Sequence, residues 1–331
     1  MTTRTSTSTM QPQKTLVKKN MRYEHGHNHE YHFNEPFTLH EGRRLGMMGG
    51  YSTSAAVTTL QAVNITTLSS CVDYGEMSQA RHDYEAWGNQ VRIVTTDDGT
   101  SETAEYSNWA NFGNAADWGE HQGGGGAFRN TTGDNVRSFL YRHSAGGGDS
   151  TITVCNIMAG SGADFGESPL GAYYGGGGNG NNGYRGIFMG AANPTASLNT
   201  IEYITFANSG GGTDFGDLPE VSGLGAHGAD LTDGSRAISV SNYRSDTNGA
   251  TYMHYVNVGT TSNASEYGNM FQAIGLIGGG SYSGRGMHIG GYAAGSYYGE
   301  MGYFNIGVNG HSIDFGEMSQ VLYTPGCKSG G

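Results

Sequence analysis

Ile313-Asp314-Phe315-Gly316-Glu317-Met318 decides the fold, because this stretch is one of a set. Near-copies stand at Asp73-Tyr74-Gly75-Glu76-Met77, Asp117-Trp118-Gly119-Glu120, Asp164-Phe165-Gly166-Glu167 and Asp214-Phe215-Gly216-Asp217-Leu218. A worn copy reads Glu266-Tyr267-Gly268-Asn269-Met270. The steps between successive glycines, from Gly75 to Gly316, are 44, 47, 50, 52 and 48 residues. A repeat of that length and regularity means one supersecondary unit used six times.

A second marker keeps the same period. An arginine opens a short apolar stretch at Arg44, Arg92, Arg137, Arg185, Arg236 and Arg285, in steps of 48, 45, 48, 51 and 49. Between the two markers lies a segment such as Asn199-Thr200-Ile201-Glu202-Tyr203-Ile204-Thr205-Phe206. Its alternation of β-branched and aromatic residues predicts a strand. The Gly/Ala/Tyr/Ser-rich residues after each acidic segment predict one or two further short strands joined by glycine turns. No window carries a helical period. A lone four-stranded sheet of this size cannot bury its faces, whereas six packed radially can. The expectation is therefore an all-β chain: a six-bladed β-propeller over residues 38–331, with blades starting near 44, 92, 137, 185, 236 and 285. The segment from Gln320 to Gly326 stops where another Arg-apolar strand should follow. Arg44 onward can supply that strand, and Glu35 to Gly42 competes for the same closing position.

Composition narrows the partners. The chain has 331 residues, 58 of them Gly and 6 Pro, without a collagen period. Its 21 Tyr and 12 Phe supply apolar area that disordered chains lack. A formal charge of −12 disfavours a nucleic-acid backbone as partner. No run of 18 apolar residues predicts membrane insertion, and the first residues lack the apolar core of a secretory signal. Cys71, Cys155 and Cys327 share no metal-ligand or disulfide spacing and read as small buried apolar residues, which fits folding in a reducing cytosol.

Residues 1–37 stand apart as an N-terminal docking arm. They are Thr/Ser/Gln/Lys-rich and mildly basic, through Arg4, Lys14, Lys18, Lys19 and Arg22, and such a segment becomes ordered against a partner. Within it, residues 25–32 are His-rich. On an extended backbone His25, His27 and His29 share one face, a candidate site for Zn, Fe or Ni. The competing reading is an interface segment whose imidazoles hydrogen-bond and stack.

The layout resembles the kelch repeat. Gly49-Gly50 and Gly290-Gly291 match its double glycine, Tyr203 its tyrosine, and Phe215 or Trp118 its aromatic, although the second, third and fifth repeats lack the double glycine. Residues 44–331 are also similar to the Gly-rich repeat proteins of marine tailed phages. The runs that carry this likeness are Tyr184-Arg185-Gly186-Ile187-Phe188-Met189-Gly190, Ile201-Glu202-Tyr203-Ile204 and Thr213-Asp214-Phe215-Gly216-Asp217-Leu218. That resemblance implies a virion protein, of a kind usually without an assigned activity.

The repeated residues have two readings each. Asp73, Asp117, Asp164, Asp214 and Asp314, with Gly75, Gly119, Gly166, Gly216, Gly268 and Gly316, are expected to build a tight turn whose aromatic packs between blades. Calcium is the competing use and needs six to eight oxygens. The six arginines are expected to begin strands and pair with the repeat acids, such as Asp73 or Glu317. The glycine runs 123–126, 146–148, 175–178, 210–212 and 278–280 lack the Gly-Lys-Ser/Thr of a phosphate loop. Trp87, Trp109, Tyr173, Tyr174, Tyr297 and Tyr298 offer faces for sugar stacking or, alternatively, fill the core between blades.

The expected function is a non-enzymatic virion structural protein of a tailed phage, assembled in the host cytoplasm and present in multiple copies. Residues 1–37 would anchor it to a tail or capsid neighbour, and the disc would face outward for protein contact or host attachment. A receptor-binding lectin recognising surface glycans is the alternative. A propeller glycosidase is a third class and would need an acid cluster outside the repeat.

Overall fold

The computed structural model describes residues 43–52, 55–81, 86–96, 103–110, 113–121, 126–144, 150–169, 174–193, 196–208, 210–222, 229–240, 250–322 and 325–329. All belong to the unit Leu39–Gly331. The arm, with His25, His27 and His29, and the competing closing segment Glu35 to Gly42 lie outside the described residues.

Those residues are all-β, and no helix element occurs among them. The strands fall into six modules in chain order. Module 1 holds β1 (Arg44–Met48), β2 (Val57–Asn64) and β3 (Val72–Arg81). Module 2 holds β4 (Ala86–Gly88), β5 (Arg92–Thr96), β6 (Thr103–Asn108) and β7 (Ala116–Glu120). Module 3 is β8 (Gly126–Gly133), β9 (Arg137–Ser144), β10 (Thr151–Asn156) and β11 (Ser161–Glu167). Module 4 is β12 (Tyr174–Asn181), β13 (Arg185–Asn193), β14 (Ala196–Thr205) and β15 (Thr213–Ser222). Module 5 has β16 (Arg236–Val240), β17 (Ala250–Asn257) and β18 (Ser265–Ile274), and a bridge from Thr232 to Ala237 stands in for its first strand. Module 6 is β19 (Gly278–Tyr282), β20 (Arg285–Ala293), β21 (Ser296–Asn305) and β22 (Ile313–Glu317), after which comes β23 (Gly326–Ser329).

Within each module the strands run as an antiparallel meander. Modules 2 and 3 are hydrogen-bonded into one eight-stranded sheet, but a single parallel bridge, Glu120 to Ser161, joins them. The last strand completes the first module: β23 pairs antiparallel with β1, Met47 opposite Cys327, in the place that β4, β8, β12 and β19 hold elsewhere. This pairing uses Gly326, where the Gln320–Gly326 segment ends, and the three residues after it, with β1 as their partner.

Each module is too thin to bury its own faces, so the core is divided among the joints. Met48, Leu60 and Met77 of module 1 pack with Ile93 and Trp109 of module 2. Trp87, Val94 and Trp118 meet Leu140, Cys155 and Ile157 of module 3. Phe139, Ile152 and Phe165 meet Phe188, Ile204 and Phe206 of module 4. Ile187, Ile201 and Phe215 meet Ala237, Val256 and Val258 of module 5. Ile238, Met253 and Tyr267 meet Ala293, Phe304 and Ile306 of module 6. The sixth cluster returns to the start, joining Met287, Met301 and Phe315 to Leu45, Val63 and Ile65. Apolar burial of this kind, roughly 1.5–3 kcal/mol per large side chain, is thus distributed over six joints, with the largest clusters between modules 5 and 6 and between modules 6 and 1. The three cysteines are buried and unbridged.

Candidate functional site

The acidic repeat is a bulge rather than a turn. In module 1 Asp73 lies opposite Gln61 and Gly75 opposite Leu60, so Tyr74 is the extra residue. The same skip occurs at Trp118, Phe165, Phe215, Tyr267 and Phe315. Each bulge aims its aromatic into the joint with the next module. Trp118 donates its indole N–H to the Ile157 carbonyl at 2.8 Å, and Tyr267 its hydroxyl to the Val308 carbonyl at 2.8 Å. The aspartates cap the bulge: Asp73, Asp117 and Asp314 accept the N–H of the glycine two residues on, at 3.2, 3.0 and 3.1 Å.

Gly119 and Gly316 show why glycine is required. Their φ angles are +121° and +146°, a region that L side chains rarely adopt. A Cβ on them would lie 2.2 Å from the Gly160 carbonyl oxygen of module 3 and 2.8 Å from the Ser69 carbonyl oxygen of module 1. The acids at the bulges are likewise engaged locally, for Glu76 accepts from Thr58 and Glu167 from Ser150. Among the described residues no three His, Cys, Asp or Glu converge as a metal-binding group.

Each of the six arginines is the first residue of its strand. Their recurring contacts differ from the expected pairing with repeat acids. Arg92, Arg185, Arg236 and Arg285 lay the guanidinium over Tyr106, Tyr203, Tyr255 and Tyr303, 4.2–4.8 Å from the ring centre. Arg44, Arg137, Arg185, Arg236 and Arg285 donate to the carbonyls of Trp109, Phe206, Val258, Ile306 and Ile65, always in the next module. A planar, multi-donor cation serves both contacts at once, whereas a carboxylate would satisfy neither. Arg137 does meet an acid at 2.8 Å, but it is Asp134 of its own hairpin. Trp87 and Trp109 are buried in the joints and offer no sugar-stacking face.

One concavity draws on all six modules. It is a cavity of about 350 Å³ at the edge where the arginine strands begin, lined among others by Asn89, Asp134, Asn182, Asp233, Gly284 and Lys328. The hairpins around it share a device that the sequence reading missed. Asn89, Asp134, Asn182 and Asp233 each stand three residues before the arginine and accept its backbone N–H through Oδ1, at 3.1, 2.6, 2.8 and 2.7 Å. This is the Asx-turn chemistry that fixes a short hairpin. The signal was present, as Asn or Asp at a fixed offset from four of the six arginines.

Hydroxyls tie the first strands together around this cavity. Thr131 donates to the Ala86 carbonyl at 3.1 Å, Thr132 to Gly180 at 3.2 Å, Thr232 to Asn181 at 2.9 Å and Ser329 to Ser281 at 2.6 Å. Among these first strands one pair stands out. Lys328 of β23 forms an ion pair with Asp230 Oδ2, and the two side chains are 12% and 8% exposed. Asp230 Oδ1 is buried and has no hydrogen-bond partner among the described residues. These are the charged members among the described side chains of the first strands and of residues 229–232, and neither recurs in the repeat.

A further polar set lies inside the joints, opposite the bulge acids. Gln61 Oε1 accepts the Ser319 N–H at 2.9 Å, and Glu105 meets Arg81 at 3.4 Å. Glu202 Oε2 accepts from Tyr141 at 3.0 Å and Ser168 at 2.8 Å. Burial raises the Glu202 carboxyl above its usual range in spite of these donors. Burial also pushes the Cys71 and Cys155 thiols up to about 12, which leaves them protonated and inert. Compared with protein-family models and with curated proteins, the chain matches none.

Proposed function

We propose that the chain is a six-bladed, kelch-like β-propeller acting as a non-enzymatic structural protein of a tailed-phage virion. The observation that carries the ring is the repetition of one joint six times, with module 6 returning to module 1. Residues that look like chemistry in the sequence, the acids and arginines of the repeat, are engaged in building those joints. Each carboxylate lining the shared cavity also has a structural partner: Asp134 has Arg137, Asp230 has Lys328, and Asp233 holds backbone N–H groups.

Contact with other proteins is supported by the cavity edge. There Tyr184 and Val136, in two of the hairpins that line the cavity, are 80% and 58% exposed. Exposed apolar side chains beside a cavity suit protein contact. Residues 1–37 would anchor the protein to a tail or capsid neighbour, with the ring facing outward in multiple copies, and Zn, Fe or Ni at His25, His27 and His29 belongs to the same proposal.

Two measurements test this reading. Negative-stain averages of the isolated protein should show a disc with six lobes, and a different lobe number ends the propeller reading. Deleting residues 1–37 should leave a soluble, folded ring that no longer joins the particle. Incorporation of the truncated protein would refute the docking arm. Metal analysis of native particles decides the histidines, since no Zn, Fe or Ni per subunit leaves the interface reading.

A further inference from the structure

The cavity shared by the six modules is built to the repeat everywhere except at Asp230 and Lys328, and that departure asks for an explanation. The repeated hydroxyls and Asx turns hold the hairpins and first strands together. The pair does something else: it places a carboxylate and an ammonium side by side on a wall whose other charged members, Asp134 and Asp233, belong to the Asx turns of the hairpins. Asp230 Oδ2 is taken by Lys328, while Oδ1 is buried without a donor. A buried acceptor left without a partner is costly, and a ligand that supplies a donor removes that cost.

We propose that this cavity is a binding site for a single neutral, hydroxylated ring, a saccharide unit, read by Asp230 and Lys328. Three features select that class. The two charges cancel each other, so a net-charged ligand gains little from them, while Asp134 is held by Arg137 and Asp233 by its hairpin N–H groups. What the pair leaves open is one acceptor, Asp230 Oδ1, beside the ammonium protons of Lys328 that the carboxylate does not use. Neighbouring hydroxyls of a sugar present that complement, since one donates while the other accepts. The volume of about 350 Å³ lies near the lower end of the range of roughly 300–1,000 Å³ for small-molecule pockets, room for one ring rather than a chain.

The inference deepens the host-attachment part of the proposed function and rests on that reading for its purpose, but the cavity itself is independent of particle assembly. The experiment uses the purified full chain and saturation-transfer-difference NMR. The probes are glucose, galactose, mannose and N-acetylglucosamine at millimolar concentration, with lysine and inorganic phosphate as charged counter-probes. At least one saccharide should give a signal, with none from lysine or phosphate. Asp230→Asn, which keeps the shape and removes the free carboxylate, should weaken binding at least tenfold. Asn135→Trp, at the exposed rim of the cavity, blocks entry without touching the ion pair and decides the matter if Asp230→Asn does not fold. No saccharide signal, binding of lysine or phosphate in its place, or saccharide binding unchanged in the folded variants would each overturn the proposal. Saccharide binding by a chain that never enters a particle would leave the site standing and end the virion reading.

Discussion

The imidazole of His288 occupies the space that a side chain at Gly302 would need. The two residues face each other across β20 and β21, and a Cβ at Gly302 would lie 2.2 Å from His288 Nε2. In modules 1, 2 and 4 the position that Gly302 holds carries Gln61, Glu105 and Glu202, whose side chains bind residues of the preceding module. Module 6 reaches its preceding module with a side chain from the neighbouring strand, since His288 stacks on Phe271 of module 5 and shares a hydrogen bond of 2.9 Å with Ser312 of its own module. Gly302→Ala should therefore cost about 1–3 kcal/mol by overpacking. Combined with His288→Ala, it should cost less than the sum of the single changes, and urea unfolding of the four proteins measures that coupling. Strict additivity would mean that the two side-chain positions do not share the space.

His288 also sets an acid limit. Burial lowers its pKa from 6.5 to about 4, so the folded protein binds fewer protons than the unfolded chain between those values. Stability is complete above pH 6.5 and is lost as pH falls toward 4, by roughly 3 kcal/mol at most for this group. His288→Gln, which has no charge to acquire, should flatten the difference curve between pH 7 and pH 4. A parallel pair of curves would remove His288 as the cause.

Glu202 acts in the opposite direction. Its folded carboxyl is raised by burial, so its contribution is fully present below the unfolded pKa and is lost as pH rises through the folded one. Glu202→Gln keeps an acceptor for Tyr141 and Ser168 while removing the charge. The variant should be more stable than the parent at pH 7 and no more stable at pH 4, measured by thermal unfolding. Equal stability at both values would show that the carboxylate is well compensated in place.

Arg285 bridges modules 6 and 1, stacking on Tyr303 at 4.8 Å and donating to Ile65 at 2.8 Å. Arg185 makes the corresponding contacts between modules 4 and 5. Replacing either with Ala should cost about 1–2 kcal/mol, and Lys should not restore it, because an ammonium lacks the flat face that stacks on the ring while its arm reaches the carbonyl. The two differ in place: Arg285→Ala should raise hydrogen exchange at β23, and Arg185→Ala should leave that strand protected.

What the sequence revealed follows from what repeats. Six arginines and six bulge glycines at a common spacing located the strands, because each is needed once per module at a fixed place. Their contacts were not legible. An Asp two residues before a glycine caps a turn and a bulge equally well, and the register that distinguishes them belongs to the partner strand, as with Gln61 and Leu60 opposite Asp73 and Gly75. Arg285 looked ready to meet an acid, yet its partner is a backbone oxygen at Ile65, which no sequence pattern marks. Asp230 and Lys328 are 98 residues apart and meet because β23 returns to the first module. Gly302 reads as a weak strand residue until His288 is set beside it.

That return of β23 has a consequence for synthesis. Arg44–Met48 leaves the ribosome long before Gly326–Ser329, and one of its edges stays unpaired until that strand has emerged. Until then the nascent chain carries an open strand edge and an unfilled joint between its first and last modules, which are features that invite self-association. Pairing across such a separation is also slow to form. A chain interrupted before residue 325 should thus accumulate as aggregate rather than as a smaller set of modules.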